Sequence, residues 1–429
     1  MKIQRNYMAV LGAALLLGAT ACTKGQDYYD EGKYQDYVRS KSPIDSVDKN
    51  HTWQLTAEHT FRLTADAGEN IQKVMLLTDN PLTTRNAPII NQTTLSDGET
   101  VTLSASVPTR LTGIYAALVD GDGKYYVQSI GVSQYTVSFK GVTASTPLSA
   151  PEPQAYNYLF EADLPLPGDY DYNDVVLRIA PERTGLKQVT LHVTLVAVGC
   201  TKQVAAYIRL LGHKFSDIES ISTTTGKTFN DDLPQGSTFM VDNFESMLLS
   251  GRNGEAVVNL FADAHWAMNS SSTSADDYGM LTRKKYNTGS GDYMEYETKV
   301  WPTLSYVINF KSSTALNSFT QETLDPFIVT QYNIGLYETH QDYLRSSQAL
   351  YQYSLSSALK DLPWALKVPM KDFRYPLEGV EIGFRKHTDT GVAVMFGAYV
   401  TPGHSFGQWA EDCETSLDWY RYPDTDQVW

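Results

Sequence analysis

Between Glu161 and Asp174 the chain places six oxygen-bearing side chains within fourteen residues: Glu161, Asp163, Asp169, Asp171, Asn173 and Asp174. An apolar run, Val175-Val176-Leu177, begins directly afterwards. Carboxylates this close repel one another unless a cation or water lies between them, so any fold containing this segment must accommodate that repulsion. A hard cation such as calcium uses this kind of oxygen supply. In an extended strand, Asp169, Asp171 and Asn173 share one face. In a tight loop they converge on one point, and Gly168 permits such a turn. The spacing is not that of an EF-hand, because Asp174 stands where that loop needs Gly and Ala180 where it needs Glu. Without His or Cys nearby, zinc is a poor fit. The expected ligand set is therefore Glu161, Asp163, Asp169, Asp171, Asn173 and Asp174, with calcium as the ion. The competing reading is turn chemistry, in which Asp and Asn bind backbone amides.

The N-terminus reads as a signal peptide over residues 1–21. Lys2 and Arg5 precede an apolar run that ends at Ala19-Thr20-Ala21-Cys22. That run is shorter than the about 20 residues a membrane-spanning helix needs. Small residues before a cysteine resemble a lipobox, although Ala19 stands where Leu is usual. Lipidation of Cys22 would tether the chain to a membrane, each buried methylene adding about 0.8 kcal/mol. The formal charge is −15, and loss of Lys2 and Arg5 with the signal takes it to −17. Such acidity repels phosphate backbones and argues against nucleic acid as a partner. Cys200 and Cys413 alone remain after Cys22. Two distant cysteines make no disulfide framework; they can pair in an oxidising compartment or serve as small buried residues.

Residues 22–53 read as lipid anchor and polar tether. Residues 54–148 read as an immunoglobulin-like β-sandwich. Val101, Leu103, Ala105 and Val107 alternate with polar residues, and Tyr115, Ala117 and Val119 repeat the pattern. Asp120-Gly121-Asp122-Gly123 is a hairpin turn. A proline-containing linker from Ser145 to Pro153 follows. Residues 154–429 read as a larger β-sandwich with short helices and loop insertions. Val189, Leu191, Val193, Leu195 and Ala197 alternate, with His192 and Thr194 facing the other way. Asp242-Asn243-Phe244-Glu245 resembles a capping box, which predicts a short helix through Leu249 that stops at Gly251. Residues 268–298 are rich in Ser, Thr, Gly and Asp and read as a long insertion. The fold class is thus mainly β.

The larger domain resembles the LruC domain of bacterial, Bacteroides-type lipoproteins. The resemblance rests on Phe160-Glu161, Leu164-Pro165 and Gly168-Asp169-Tyr170-Asp171-Tyr172-Asn173-Asp174, then on Leu324-Asp325-Pro326-Phe327-Ile328 and Leu362-Pro363-Trp364. Tyr375-Pro376 with Glu378, Phe406-Gly407-Gln408-Trp409 and Asp418-Trp419-Tyr420 complete it, over about residues 156–423. The sequence departs from the family at Tyr337-Glu338-Thr339-His340-Gln341, where a Leu-Pro-Gly portion is missing. The resemblance implies an outer-membrane, surface-exposed lipoprotein, and related secreted β-domains with this acidic pattern are thought to bind calcium.

No catalytic motif is present. His340 with Glu338, and His265 beside Trp266, come without a nucleophile. The leading expectation is a non-enzymatic surface protein for adhesion or assembly, with surface glycans or other surface proteins as partners. The alternatives are a carbohydrate-binding component of a glycan-uptake system and, third, a glycan hydrolase. With 28 Tyr and 7 Trp, an exposed aromatic row would favour sugar, and burial of those rings would favour adhesion.

Overall fold

A computed structural model describes residues 47–68, 70–162, 168–231, 248–268, 285–289, 294–295, 303–316, 318–332, 335–341, 362–387 and 393–429. The chain is mainly β, in antiparallel sheets packed as sandwiches. Cys22 and Asp163 lie outside the described residues.

The smaller sandwich is built from β1 (Thr56–Thr64), β2 (Ile71–Leu77), β3 (Pro88–Thr94), β4 (Thr100–Pro108), β5 (Gly113–Asp120), β6 (Tyr125–Gly131) and β7 (Thr136–Ser138). One sheet runs β4-β1-β7 and the other β6-β5-β2-β3, which the two-residue β8 (Glu152–Pro153) extends at its edge. The period-two pattern does what burying one face of each sheet requires. Leu103, Ala105 and Val107 from β4 meet Val74 and Leu76 from β2 and Ile114, Ala116 and Leu118 from β5. The Asp120–Gly123 turn is closed by Asp120 Oδ1, which accepts from the amides of Asp122 and Lys124, both at 2.9 Å.

The larger sandwich begins with β9 (Tyr156–Phe160), β10 (Val175–Arg183), β11 (Gln188–Ala197), β12 (Val204–Lys214) and β13 (Ile218–Thr223). It continues through β14 (Leu249–Arg252), β15 (Glu255–Phe261), the short helix α1 (Ala264–Met268), β16 (Lys285–Tyr286), β17 (Met294–Glu295) and β18 (Thr303–Phe310). Then come β19 (Leu324–Tyr332), β20 (Gly335–His340), β21 (Ala365–Val368), β22 (Phe384–His387), β23 (Ala393–Phe396) and α2 (Phe406–Glu411). A six-stranded sheet in the order β13-β18-β11-β10-β9-β21 packs on a five-stranded sheet in the order β14-β15-β12-β19-β20. Leu177, Ile179, Val189, Leu191, Val193 and Leu195 fill the space between them with Ala206, Ile208 and Val258.

The other face of the six-stranded sheet is buried too. Leu159, Val176 and Val196 pack under a second core made by Trp364-flanking residues and the C-terminal segment, including Tyr399, Phe406, Trp409 and Trp419. Trp53 and Leu55 join this second core, so the end of the segment read as tether is packed structure. Most of the helix expected from Asp242 to Leu249 lies outside the described residues; at its end, Leu249–Arg252 forms β14, which pairs with β15. Leu249 joins that ladder opposite Val258 and packs at the edge of the main core. Part of the Ser- and Gly-rich insertion is likewise packed: Tyr286, Asn287 and Thr288 are buried, and β16 bridges Val198 through two backbone hydrogen bonds. Cys200 and Cys413 are both free thiols.

Candidate metal centre

The acidic segment is a loop between β9 and β10, and it curls because two tyrosines adopt the left-handed region. Tyr170 has φ 59° and Tyr172 φ 53°, a conformation that costs a non-glycine residue about 1–2 kcal/mol. Burial holds them there. Tyr170 is 2% and Tyr172 0% exposed, both in the second core. The Tyr172 hydroxyl donates to the Pro363 carbonyl at 2.8 Å, and the Ile382 amide donates to the Tyr170 carbonyl at 2.9 Å. The alternation that an extended strand would lay along one face is therefore folded inward.

The carboxylates of Glu161, Asp169 and Asp171 offer oxygens that lie within 4.8 Å of one another. Glu161 and Asp171 are buried, whereas Asp169 is exposed at the mouth. The Tyr172 amide donates to Glu161 Oε1 at 2.6 Å. Asp171 Oδ2 accepts from the Gly379 amide at 2.8 Å, and its Oδ1 accepts from the Asn173 amide at 3.1 Å. Glu161 Oε2 is buried with no hydrogen-bond donor among the described residues. Gly168 matters here through space: a Cβ on it would collide with that same oxygen.

Electrostatics make this arrangement costly without a counter-charge. Burial first, then the charges of Asp174, Asp169 and Asp171, push the Glu161 carboxyl well above its usual range. Burial, Asp169, Asp174 and Glu378 do the same to Asp171. A buried charge of this kind must be neutralised by a proton or by a cation.

The remaining predicted ligands divide. Asp174 braces the backbone, its Oδ2 accepting from the Ala162 amide at 2.6 Å. Asn173 donates through Nδ2 to the Pro376 carbonyl at 3.2 Å. Its Oδ1 is buried without a donor among the described residues, tight against Gly199, where a Cβ would overlap the oxygen. Glu378 was absent from the expected set. It sits close enough to act on Asp171, and its sequence signal was the Tyr375-Pro376-x-Glu378 run, which contributes the Pro376 carbonyl and the Gly379 amide to the same loop. Leu362-Pro363-Trp364 arrives from another direction, with the Glu161 amide donating to the Trp364 carbonyl at 2.9 Å. The Glu378 amide donates to the Thr288 carbonyl at 2.7 Å, which ties in the insertion.

The other histidines singled out from the sequence sit in buried hydrogen-bond networks. His340 is 1% exposed; its Nδ1 lies 3.0 Å from both Asp325 carboxylate oxygens and its Nε2 lies 3.3 Å from Glu338 Oε2. His265 is held by Asp263 and by the Cys200 carbonyl at 2.8 Å.

The fold and this loop define a mainly β, two-sandwich protein with a carboxylate cluster at the opening of its larger sandwich. Residues 185–388 match the model of a domain of unknown function, DUF4842. A crystal structure described as a "Putative lipoprotein from Bacteroides ovatus" is similar at 15% identity and a TM-score of 0.53, covering 84% of this chain and 99% of that one. The full-length major pilin SpaD from Corynebacterium diphtheriae aligns at 11% identity over 66% of each chain, with a TM-score of 0.13. No curated protein matches.

Proposed function

We propose that this chain is a non-enzymatic, surface-exposed outer-membrane lipoprotein in which a calcium ion, held by Glu161, Asp169 and Asp171, locks the larger sandwich for adhesion or surface assembly. One observation carries the metal: a buried carboxylate oxygen, Glu161 Oε2, without a donor among the described residues, on a side chain that offers an oxygen within 4.8 Å of oxygens of Asp169 and Asp171. Calcium bonds oxygen at about 2.3–2.6 Å, so ligands around one ion sit up to about 5 Å apart. An all-oxygen set without His or Cys suits a hard cation. The ion would supply the missing positive charge and join the β9–β10 loop to the segments carrying Trp364 and Gly379.

Support for the lipoprotein reading comes from the Cys22 motif and from the B. ovatus neighbour, whose description is that of a lipoprotein. The LruC-like motifs support that family for residues 154–429, and the DUF4842 match falls inside their span. Burial supports the non-enzymatic reading: Glu161 and Asp171 are 0% and 1% exposed, which leaves a substrate no access to them. Among the described tryptophans, Trp53, Trp266, Trp364, Trp409 and Trp419 are buried and Trp429 is half-buried, which supports adhesion over a tryptophan-built sugar platform, although Tyr135 and Tyr422 are exposed.

Calcium binding is tested by thermal unfolding with calcium, magnesium and chelator. At roughly a hundredfold excess over Kd, calcium should add about 2.7 kcal/mol of stability, and Glu161→Gln should remove that increment. A wild-type melting temperature indifferent to both calcium and chelator would sink the metal. The anchor is tested by fatty-acid labelling of Cys22→Ala cells: label should vanish and the protein should move to the soluble fraction. Undiminished membrane retention would rule the anchor out.

A further inference from the structure

Between the two sandwiches lies a cleft of about 180 Å³ that the metal loop does not touch. Arg110, just after β4, and Arg421, near the C-terminus, both line it. The Arg110 Nε donates to the Tyr420 hydroxyl at 3.2 Å. Tyr420 is 3% exposed, so this bond fixes the guanidinium against a rigid ring. Burial, aided by the Asp418 charge, raises the Tyr420 pKa, and both Arg110 and Arg421 oppose that rise. Their positive charges therefore fall around one phenol oxygen.

Neither arginine has a carboxylate partner among the described residues. The third cation of the cleft, Lys371, is already paired with Glu152 at 2.7 Å. Two guanidiniums without carboxylate partners thus line one cleft of a chain of net charge −15, where carboxylates outnumber cations. Single surface arginines without partners are ordinary; a focused pair in a cleft forms a positive site in an otherwise negative field. Guanidinium forks match planar carboxylates in geometry.

Asp79 also lines the cleft, accepting from the Thr78 hydroxyl at 2.8 Å, with acceptor capacity left over. Pro88, Pro153 and Pro369 give the cleft apolar ring faces. The volume is below the roughly 300–1,000 Å³ of drug-sized sites, which suits one small ring.

We propose that this cleft binds a small carboxylate carrying neighbouring hydroxyl groups, the chemistry of a uronic acid. Arg110 and Arg421 take the carboxylate, Asp79 accepts from a hydroxyl, and the prolines pack against the ring's C–H face. Recognition by charge in a proline-walled cleft needs no exposed tryptophan, so burial of the aromatic rings does not bear on it.

The test is a calorimetric titration of the full chain with D-glucuronate, D-glucose and inorganic phosphate. Saturable glucuronate binding is expected, with glucose weaker by about tenfold or more, the loss of charge-assisted hydrogen bonds. Arg421→Gln, on an exposed side chain, should weaken glucuronate by about tenfold without moving the melting temperature, and Arg110→Gln should do the same to affinity. Absence of saturable glucuronate binding, equal binding of glucose, or unchanged affinity in both variants would overturn the proposal. Phosphate binding as tightly as glucuronate would overturn the sugar-acid assignment.

Discussion

His51 shows how one residue's hydrogen bonds fix both a protonation state and a pH dependence. Its ring stacks on Trp53 at 3.9 Å and meets Trp409 edge-on at 4.5 Å. Nδ1 accepts from the Trp53 amide at 3.0 Å, while Nε2 lies 2.9 Å from the Trp409 carbonyl oxygen. Only the neutral ring with its proton on Nε2 satisfies both, because a proton on Nδ1 would face an amide hydrogen. Burial drives the same result: it lowers the pKa to about 4, against the opposing pull of the Trp409 carbonyl and Asp48. The folded value is depressed below the unfolded 6.5, so the unfolded chain binds the proton more readily. The stability His51 contributes is present above about pH 6.5 and is lost as pH falls toward about 4. Melting curves of wild type and His51→Gln between neutral and mildly acidic pH isolate it. The wild type should lose more stability over that window than the variant, and parallel curves would refute the assignment. His340 has the reverse sign. Burial opposes its charge, but Asp325 and Glu338 prevail and raise its pKa, so its contribution is full below the unfolded value and fades as pH rises.

Among the elements, the loop joining β9 and β10 separates what was legible in the sequence from what was not. That carboxylates would crowd this loop was legible, because six oxygen-bearing side chains fall within fourteen residues, and the structure groups three of them, Glu161, Asp169 and Asp171. So was the start of β10, which opens at Val175 where the apolar run begins. The curl was not. Nothing local says that Tyr170 and Tyr172 should take positive φ, since they are held by Ile382 and Pro363, far along the chain. The division of labour was equally hidden: Asp174 became a backbone brace because β9 and β10 bring the Ala162 amide beside it. Period-two strands such as β4 and β11 were readable because one face is buried and the other is not. Leu249, expected at the end of a short helix, instead opens β14, because a four-residue edge strand has too little pattern of its own to be read from the sequence. The convergence of the Leu362, Tyr375 and Thr288 segments on one loop is a tertiary fact that spacing along the chain does not encode.

At the scale of the whole molecule, Glu322 links the two sandwiches through one side chain. It lies in the short turn before β19, and its Oε1 accepts from the Thr56 hydroxyl of β1 at 2.6 Å and from the Ser106 hydroxyl of β4. Its Oε2 is paired with Lys367 of β21 at 2.7 Å. Lys367 is 3% exposed, so its charge has been taken out of water and depends on this carboxylate. Burial works against the ionised glutamate, but Lys367 and the two hydroxyls hold its pKa below the usual value. Neighbouring bonds follow the same seam: the Thr320 hydroxyl donates to Glu58 at 3.0 Å, and Asn91 Nδ2 donates to the Phe319 carbonyl at 3.2 Å. A single buried partner removed from such a pair leaves the other charge stranded, a cost of about 3–5 kcal/mol, whereas replacing both with apolar residues is often nearly neutral. Glu322→Ala should therefore destabilise by about that amount and split unfolding into two calorimetric transitions, the smaller sandwich melting apart from the larger. The double variant Glu322→Leu with Lys367→Met should recover most of the stability while still lacking the Thr56 and Ser106 bonds, so its transitions should stay separated. If Glu322→Ala instead unfolds in one transition at the wild-type temperature, the seam is held elsewhere and this carboxylate is not its clamp.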